Sequence, residues 1–574
     1  MEAFHEIALQ INSFLWHDWV LYAVLGSCVL YTLWSVSSQY RALTHGVAVT
    51  LGYYDNRKDP GAINHFQALS TALSGTVGLG NIGGVAIAIS LGGPGALFWM
   101  WIVGVLGMSM KMVEVTLAML YRNVDDPRNP HGGPMWVAKK AFAEKGPKWA
   151  KFGSFLGGLY CVTLLIGALS GGNMFQAWNV AEVSASFFGI PRLLVGVILA
   201  LSVAAVLLGG IKRIGQVTGF FVPVMCVVYV ISGVSVIAIN ITDVPAIFHL
   251  IVSSAFSPTE ISGAFVGGSV GAAMLWGMKR ALFSSEIGQG SSAIAHSAAK
   301  TGEPVREGII AGLEPFIDTI IVCTITGLVI LLSGVWNRSP DLSFDSVPQV
   351  IQQSEGSWYL RSNSLPENAH VSSWDDGIGV FMIRGTTETD GKTGGFKRWY
   401  GVVVRDSTGD YLRLDSVESD TRPVLRDSGV YKTFAGASLT ALAFDQSFDG
   451  FGRWLIVIAA WMFALSTIIA WGYYGEQAFV YLFGNRGVVA FKVLYCSMTL
   501  VATLGFIRTD RELDTLTTIG TGIVLITGMS ITLAFGHKAI AAYKQYIRRL
   551  KTGEFLSQKH GLNISDSKLD VGEG

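Results

Sequence analysis

Charged side chains are scarce in this sequence: they make up 14% of the 574 residues, against 51% for hydrophobic types. Soluble proteins carry roughly 25% charged residues, so this balance excludes an ordinary series of soluble domains. It also excludes a disordered chain, because disorder needs high charge and low hydrophobicity. Basic and acidic residues number 41 each, so no overall positive charge indicates a nucleic-acid partner.

Cysteine and an N-terminal basic cluster are lacking as well. The chain has 5 cysteines, none in a CxxC pair and all in apolar segments, where a cysteine acts as a small hydrophobic side chain. This pattern argues against a disulfide scaffold and against a cysteine-bound metal. Residues 1–10 contain neither Lys nor Arg, so they make a poor signal peptide.

Long apolar stretches are what the sequence has in abundance. Each is about 20 residues long, the length that an α-helix needs to cross the hydrocarbon of a bilayer. We therefore predict an all-α polytopic membrane protein with eleven transmembrane helices. These helices are expected near 18–38, 65–92, 94–121, 150–187, 191–209, 214–240, 262–299, 305–335, 453–475, 487–506 and 513–535.

Lysine and arginine are concentrated in alternate connections between these helices. The stretch 122–151 contains seven of them and the stretch 538–551 contains five, whereas the connection 241–261 has none. Positively charged loops stay in the cytoplasm. The pattern therefore predicts an N-terminus outside the cell, eleven crossings and a cytoplasmic C-terminus.

The segment 336–434 has a different composition. It is polar, and short alternating runs rich in aromatic and β-branched residues, such as FKRWYGVVVRD and DYLRLDSV, predict β-strands. We therefore expect a small extracytoplasmic β-rich insert here. The predicted domains are a first membrane part, 1–335, the insert, 336–434, a second membrane part, 435–550, and a polar cytoplasmic tail, 551–574.

Two of the predicted helices contain residues that interrupt a helix. Five glycines lie within 75–84, and each interior glycine costs a helix about 1 kcal/mol relative to alanine. The second interruption, within 278–296, combines Lys279, Arg280 and Glu286 with two nearby glycines. An unwound stretch at membrane depth survives only where protein buries it or where it lines a cavity.

Such breaks have a specific chemistry. Freed helix N-termini favour a carboxylate, and freed carbonyl groups favour a small cation. The two breaks therefore suit a zwitterion that is carried together with a cation. Close packing of small residues between helices is the alternative explanation of the glycines.

A third polar feature lies in the predicted helix 453–475. Phe463, Ser466 and Thr467 are three and four residues apart, so they share one helical face. Two hydroxyl groups on one face complete the oxygen shell of a sodium ion, or each of them bonds the carbonyl group one turn back. The spacing leaves both explanations open.

Two carboxylates, Glu114 and Asp318, fall inside predicted membrane helices. Intramembrane carboxylates are costly, and they are usually functional or paired. Lys111 lies one turn from Glu114, so a structural pair and a proton relay are equally compatible with that spacing.

Motifs of enzymes are missing. GLGNIG matches the dinucleotide pattern GxGxxG, but no acidic residue follows about 20 residues further on, and the segment lies in a predicted membrane helix. The sequence has no HExxH motif and no Walker A motif. We therefore predict that the protein is not an enzyme, and we assign no catalytic residue.

Several long motifs, in one order along the chain, closely resemble the alanine or glycine:cation symporter family. They are TALSGTVGLGNIGGVAIAISLGGPGALFWMW, GNMFQAWN, GGIKRIGQVT, KRALFSSEIGQGSSAIAHSAAK and FALSTIIAWGYYGEQAFVYLFG. They cover nearly all of the predicted membrane part and skip 336–434. The resemblance implies the amino-acid–sodium symporter fold, which has two inverted five-helix repeats with a broken first helix in each. It also implies a bacterial-type plasma (inner) membrane.

The resemblance further implies the residues of the site. The carboxylate of the substrate is expected at backbone N–H groups, and side chains of other helices are expected to complete the pocket. The substrate-binding residues are expected to be Gly78, Leu79, Gly80, Gln176, Phe283, Ser285 and Trp471. The sodium ligands are expected to be the carbonyl groups of Ser74, Val77 and Phe463 and the hydroxyl groups of Ser466 and Thr467.

We therefore predict a secondary active transporter that couples sodium entry to the uptake of a small neutral amino acid, alanine- or glycine-like, by alternating access. Sodium, the co-transported ion, is the cofactor expected, and the partners are the amino acid and the lipid bilayer. Two alternatives stay open. One is a proton-coupled amino-acid symporter in which Asp318 or Glu114 titrates, and the other is a membrane receptor that binds its ligand through the insert.

Overall fold

The computed structural model describes residues 10–555 except 57, 261, 355–356, 362–364, 366–373, 375–376, 386–395, 407–408, 420–421, 435–436, 449 and 506–509. Most of the described chain is helical. Its helices are α1, Asp18–Ser35; α2, His65–Thr76; α3, Val85–Gly92; α4, Gly95–Leu120; α5, Pro134–Ala143; α6, Pro147–Leu169; α7, Phe175–Phe188; α8, Arg192–Leu207; α9, Gly210–Ile239; α10, Val244–Phe256; α11, Val270–Ser285; α12, Ser292–His296; α13, Pro304–Ala311; α14, Thr324–Ser333; α15, Ala437–Ser447; α16, Gly452–Phe483; α17, Val488–Val501; and α18, Asp510–Lys551.

Several of these helices are joined by π-helical segments, in which the backbone hydrogen bonds reach one residue further than in an α-helix. The short segments Ser38–Arg41, Ala42–Gly46 and Val47–Thr50 connect α1 to α2, and the middle one is π-helical. Further π-helical segments are Gly80–Gly84, which leads into α3, Ser170–Met174, which joins α6 to α7, and Phe316–Cys323, which leads into α14.

The described chain contains seven helical stretches long and apolar enough to cross a bilayer. α2 and α3 pass the same test as a pair, with a bend of 50° between them, and so make an eighth. The protein is therefore a multi-pass membrane protein. α8, α10 and α17 are apolar but only 10–17 residues long, so the count of eleven stays a prediction.

The helix boundaries differ from the sequence prediction in several places, of which three are the clearest. The connection 241–261 contains α10, because its residues are largely apolar. The helix expected over 262–299 begins only at Val270, where the Ser269 hydroxyl accepts the N–H of Ala272 and caps α11. The last helix continues past residue 535, to Lys551. The predicted tail, 551–574, lies outside the described residues from 556 onward.

A seven-stranded antiparallel sheet is present where the sequence predicts a β-rich insert. Its spatial order is β1-β7-β4-β5-β6-β3-β2, and Trp399, Val403 and Leu412 are among the buried side chains of its core. The strands are β1, Leu342–Ser343; β2, Val350–Ser354; β3, Ser357–Arg361; β4, Gly379–Gly385; β5, Phe396–Asp406; β6, Gly409–Glu418; and β7, Gly429–Lys432.

The sheet is attached to the helical part by polar and apolar contacts. Nη2 of Arg398, on β5, donates to the carbonyl oxygens of Ser90, at 3.2 Å, and Ala264, at 3.0 Å. Ala264 also packs into an apolar cluster with Phe381 and Tyr431 of the sheet. These contacts fix the sheet to α3 and to the segment that precedes α11, and α3 and α11 each form one half of an interrupted helix.

Candidate functional site

The first interrupted helix is broken in the structure, as its glycines predict. α2 stops at Thr76, because Val77 leaves the helical conformation with φ −84° and ψ 88°. The chain resumes as the π-helical segment Gly80–Gly84 and continues as α3. Residues 77–79 therefore link the halves of a membrane-spanning pair of helices: Val77 and Gly78 lie outside the helices, Leu79 already has helical angles (φ −64°, ψ −14°), and all three are buried.

Two main-chain N–H groups of this stretch are bound by side chains. The N–H of Leu79 donates to Oε1 of Gln176, on α7, over 3.3 Å. The N–H of Gly78 donates to Oδ1 of Asn81 over 2.9 Å. Both acceptors are amide oxygens, so the stretch binds the kind of oxygen that a carboxylate also offers.

Two other helices come very close to the same main chain. A Cβ atom on Gly78 would lie 2.6 Å from Oγ1 of Thr467, on α16, a separation that real Cβ atoms do not adopt. A Cβ atom on Gly80 would lie 3.3 Å from the ring of Phe283, on α11. The structure therefore brings together Gly78, Leu79, Gly80, Gln176 and Phe283 of the predicted substrate site.

The second interrupted helix is broken as well. α11 ends at Ser285, Glu286 has the left-handed φ of 53°, and Gly288 and Gly290 follow with φ of 85° and 70°. Only glycine adopts such angles without strain, so these two positions allow the turn. α12 restarts at Ser292.

Ser285 and Trp471 are the other two predicted substrate residues, and the structure shows each in contact with residues outside the first break. The Ser285 hydroxyl donates to the carbonyl oxygen of Ala281, one turn back in α11, over 2.6 Å. Trp471 lies so close to Gly172 that a Cβ there would be 2.2 Å from its ring, and it packs edge-on against Tyr474. Trp471 thus packs on the π-helical segment that precedes Gln176.

The predicted sodium ligands lie where α2 ends against α16. The Ser74 hydroxyl donates to the carbonyl oxygen of Ser466 over 2.6 Å, and the Ser466 hydroxyl donates to that of Phe463 over 2.9 Å. Thr467 is 2% exposed, and its Oγ1 has no hydrogen-bond partner among the described residues. Val77, fully buried, is the first residue beyond α2. The arrangement is a cluster of oxygen atoms, the ligand type that hard cations take.

Asp318 is next to the first break. It is fully buried, and Oδ1 accepts the hydroxyl of Thr319 over 2.6 Å. The side-chain amide of Asn81 donates to the main-chain oxygen of Asp318 over 3.1 Å. Asn81 therefore connects the break with the π-helical segment Phe316–Cys323.

A row of four buried ionisable residues was missed by the sequence analysis. His65 contacts Glu307 through Nδ1, His296 lies 2.5 Å from Glu307 through Nδ1, and its Nε2 lies 2.9 Å from Oε1 of Glu314. We call these four residues the His–Glu row. Nζ of Lys111 lies 3.3 Å from Oε2 of Glu314. The ion pair of Lys111 is therefore formed with a residue of another segment and not with Glu114 of the same helix. Buried intramembrane charges are usually paired or functional, and this rule marks each of these residues as a candidate. It does not indicate which residues pair with each other.

Arg122, just beyond the end of α4, binds main-chain carbonyl groups near this row. Its guanidinium donates to the carbonyl oxygens of Ser297, Ala299 and Thr301. Burial lowers the pKa of Arg122, and the nearby charge of Glu307 opposes this effect. The carbonyl groups therefore fix a guanidinium at the end of the row.

Broken helices that bury their free main-chain groups against several other helices are characteristic of secondary membrane transporters, and that is the class to which this architecture corresponds. The family described as the sodium:alanine symporter family matches residues 1–362 and 419–560 of the sequence. The chain therefore belongs to the sodium:alanine symporter family. The unmatched residues, 363–418, include three strands of the sheet.

Three relatives show the range of this similarity. The chain is 34% identical over 492 residues to the sodium/alanine symporter AgcS of Methanococcus maripaludis, with 86% of each chain covered. It is 28% identical over 524 residues to the sodium/proton-dependent alanine carrier protein of Bacillus sp. strain PS3, with 90% of this chain and 94% of the relative covered. It is 35% identical over 375 residues to the probable sodium/glutamine symporter GlnT of Bacillus subtilis, with 65% and 71% covered.

Proposed function

We propose that the protein couples the entry of sodium to the uptake of a small neutral amino acid, with alanine as the first candidate. The observation that carries the proposal is the helix break at residues 77–78: the N–H of Leu79 beyond it donates to Gln176, and the hydroxyl of Thr467, which has no hydrogen-bond partner among the described residues, lies beside Gly78. The names of the relatives support it, because two of them include alanine and all three include sodium.

In the proposed complex, the carboxylate of the amino acid binds the N–H groups of Leu79 and Gly80. In the structure, the amide oxygen of Gln176 accepts the N–H of Leu79, to which one oxygen of the substrate carboxylate is proposed to bind. The substrate displaces that oxygen, and Gln176 turns to contact the substrate. Phe283, Ser285 and Trp471 are proposed to complete the pocket.

The proposed sodium ion binds beside the substrate, between α2 and α16. Its ligands are the carbonyl oxygens of Ser74, Val77 and Phe463 and the hydroxyl oxygens of Ser466 and Thr467. The support is the buried Oγ1 of Thr467, which finds no hydrogen-bond partner within the described part of the chain, since such an oxygen is costly in a buried site unless a cation or a donor binds it.

The proposed architecture has eleven membrane helices, an outer N-terminus and a cytoplasmic C-terminus. Ten of the helices form two inverted repeats of five, and the domains are divided at residues 335, 434 and 550. The site residues named above are buried, apart from a half-buried Phe283, so substrate enters and leaves when the two repeats move against each other. The reaction is transport, with no chemical conversion of the amino acid.

The test is uptake of labelled alanine, glycine, serine and glutamine into proteoliposomes that contain the purified protein. An inward sodium gradient is expected to drive accumulation, and an equal potassium gradient is not. An inside-negative potential adds about 2.3 kcal/mol per charge per 100 mV and is expected to raise the accumulation further. Uptake that ignores every cation gradient would contradict the coupling.

A proton-coupled symporter is the second candidate, because one relative is named a sodium/proton-dependent carrier and Asp318 is fully buried beside the first break. This candidate predicts uptake that a pH gradient drives without sodium. The substitution Asp318→Asn is expected to abolish that uptake. Sodium-dependent uptake that survives the substitution would favour the first candidate.

A further inference from the structure

The hydrogen bonds of His296 in the His–Glu row need more protons than a neutral imidazole between two ionised carboxylates has. His296 faces a carboxylate at each ring nitrogen, Glu307 at 2.5 Å from Nδ1 and Glu314 at 2.9 Å from Nε2. A neutral imidazole donates from one nitrogen and accepts at the other, whereas an ionised carboxylate only accepts. Two hydrogen bonds are therefore formed only if the ring is protonated twice or one of the carboxylates carries a proton.

One end of the row leads to the second helix break. Lys111, fully buried, pairs with Oε2 of Glu314 at 3.3 Å and donates to the hydroxyl of Ser292 over 2.8 Å. The adjacent hydroxyl, that of Ser291, donates to Oε2 of Glu286, the left-handed residue of the break. Lys111, the partner of Glu314, and Glu286, where α11 stops, thus bind the hydroxyl groups of two consecutive residues, Ser292 and Ser291.

The other end of the row leads to the surface. Nε2 of His65 lies 3.7 Å from Oδ1 of Asp55, whose side chain is 46% exposed. Asp55 belongs to the connection between α1 and α2, and the loop after α12 is joined to the same connection, since the N–H of Lys300 donates to the carbonyl oxygen of Ile63. In the proposed topology this face is cytoplasmic.

We propose that Glu307, His296 and Glu314 form a binding site for a transported proton and connect the second helix break with the face around Asp55. The proposal rests on the proposed amino-acid transport and adds a proton to its cargo. It places that proton on the His–Glu row and not on the sodium ligands or on Asp318, whose carboxyl group interacts electrostatically with Glu314.

The transfer conserves protons at every atom. A protonated Glu314 gives its proton to Nε2 of His296, and an N–H bond forms there. The Nδ1–H bond of the same ring breaks, and its proton passes to Glu307. The ring ends with the charge that it had at the start, Glu314 becomes a carboxylate, and Glu307 becomes an acid.

Lys111 couples this transfer to the break. While Glu314 is ionised, it holds the ammonium group of Lys111 in an ion pair. Protonation of Glu314 removes that pair, so the positive charge of Lys111 then acts on the carboxylates nearest the break. The charged and titratable groups that act on the row or on Lys111 are His65, Lys111, Glu114, Arg122, Glu286, Glu307, Glu314, Asp318 and Tyr474.

The experiment measures protons and alanine together. Full-length protein is reconstituted in liposomes that contain a pH-sensitive dye, with equal sodium on both sides and the membrane potential clamped by potassium and valinomycin. Labelled alanine is then added outside. We expect alanine uptake to acidify the lumen, and an acidic exterior to speed the uptake.

The decisive variant is His296→Gln, which keeps a polar side chain but cannot pass a proton. We expect it to bind alanine in sodium, measured by calorimetry in detergent, and to lose both the acidification and the stimulation by external acid. His249→Gln, an exposed position on α10, is the matched control and should behave like the unmodified protein. Glu314→Gln is the second variant, used if His296→Gln does not fold, and the same losses are expected of it.

Three results would overturn the proposal. Alanine uptake by the unmodified protein without any change of lumen pH would refute it and leave the proposed sodium coupling standing. An unchanged ratio of protons to alanine in His296→Gln would show that the transported proton does not bind in the His–Glu row. Absence of uptake for every amino acid tested would refute the transport function and this inference with it.

Discussion

Gly78 has no room for a side chain in the candidate site, because Oγ1 of Thr467 occupies the place where a side chain would begin. Its neighbour Gly80 has slightly more space, with the ring of Phe283 3.3 Å from a Cβ position. A side chain at either position would take the volume that the proposed substrate and ion share. Single residues therefore provide the most direct tests of the proposed binding mode.

We expect Gly78→Ala to abolish sodium-driven alanine uptake, since the added methyl group forces Thr467 away from the first break. The measurement is initial uptake into proteoliposomes at equal amounts of inserted protein. Gly26→Ala is the control, because a Cβ there meets nothing within 4 Å. Normal uptake by a well-expressed Gly78→Ala protein would rule out the proposed site.

We expect Thr467→Val to raise the sodium concentration for half-maximal uptake about tenfold or more, because loss of a contact between a hydroxyl and an ion costs about 1.5–3 kcal/mol. Valine has nearly the size of threonine, so the change removes the oxygen and little volume. A sodium titration of alanine uptake measures the effect. Thr44→Val is the control, because the Thr44 hydroxyl donates to the carbonyl oxygen of Tyr40, one turn back. An unchanged sodium requirement in Thr467→Val would show that the ion binds elsewhere.

At the scale of elements, irregular backbone surrounds the candidate site. The break at residues 77–78 is followed by one π-helical segment, Gln176 follows another at Ser170–Met174, and Asp318 lies within a further one, Phe316–Cys323. π-helical turns leave backbone groups poorly aligned and are frequent at functional sites. Three of the segments that meet at the site therefore depart from a regular α-helix, whereas α16 is one continuous helix.

The second break makes a prediction about stability. We expect Gly290→Ala to lower the midpoint of thermal unfolding, because φ is 70° and a Cβ would lie 2.4 Å from Pro134. Left-handed backbone costs an alanine roughly 1–2 kcal/mol, and the clash adds about 1–3 kcal/mol. Gly484→Ala separates the two effects, since its φ is 72° and its Cβ meets nothing within 4 Å. Equal losses of stability in both variants would mean that the packing against Pro134 contributes nothing.

At the scale of the whole molecule, the sheet is joined to the helices beside both breaks, and Arg398 makes two of the bonds. We expect Arg398→Met to lower thermal stability by about 1–3 kcal/mol, because buried carbonyl groups lose a charged donor. The variant should still carry alanine, since transport is assigned to the helices. Arg413→Met, at an exposed position of β6, is the control, and loss of all uptake without loss of stability would show that transport requires the insert.

Part of this molecule could be predicted from local pattern. The glycines of 75–84 predicted the first break, because a cluster of residues with low helix propensity acts on its own segment. The start of α11 at Val270 and the helix α10 within 241–261 were missed, since a cap and a short apolar helix have weaker signals than a long apolar run. The boundaries were therefore the least predictable part of the fold.

The sequence by itself determined that the chain lies in a membrane and that two of its helices break, because apolar length and glycine content act locally. The tertiary structure alone decided which charges meet. Lys111 stands one turn from Glu114 but pairs with Glu314, and His65 contacts Glu307, which lies 242 residues away. A buried charge takes the partner that helix packing brings to it, and packing between distant segments leaves no mark in local spacing.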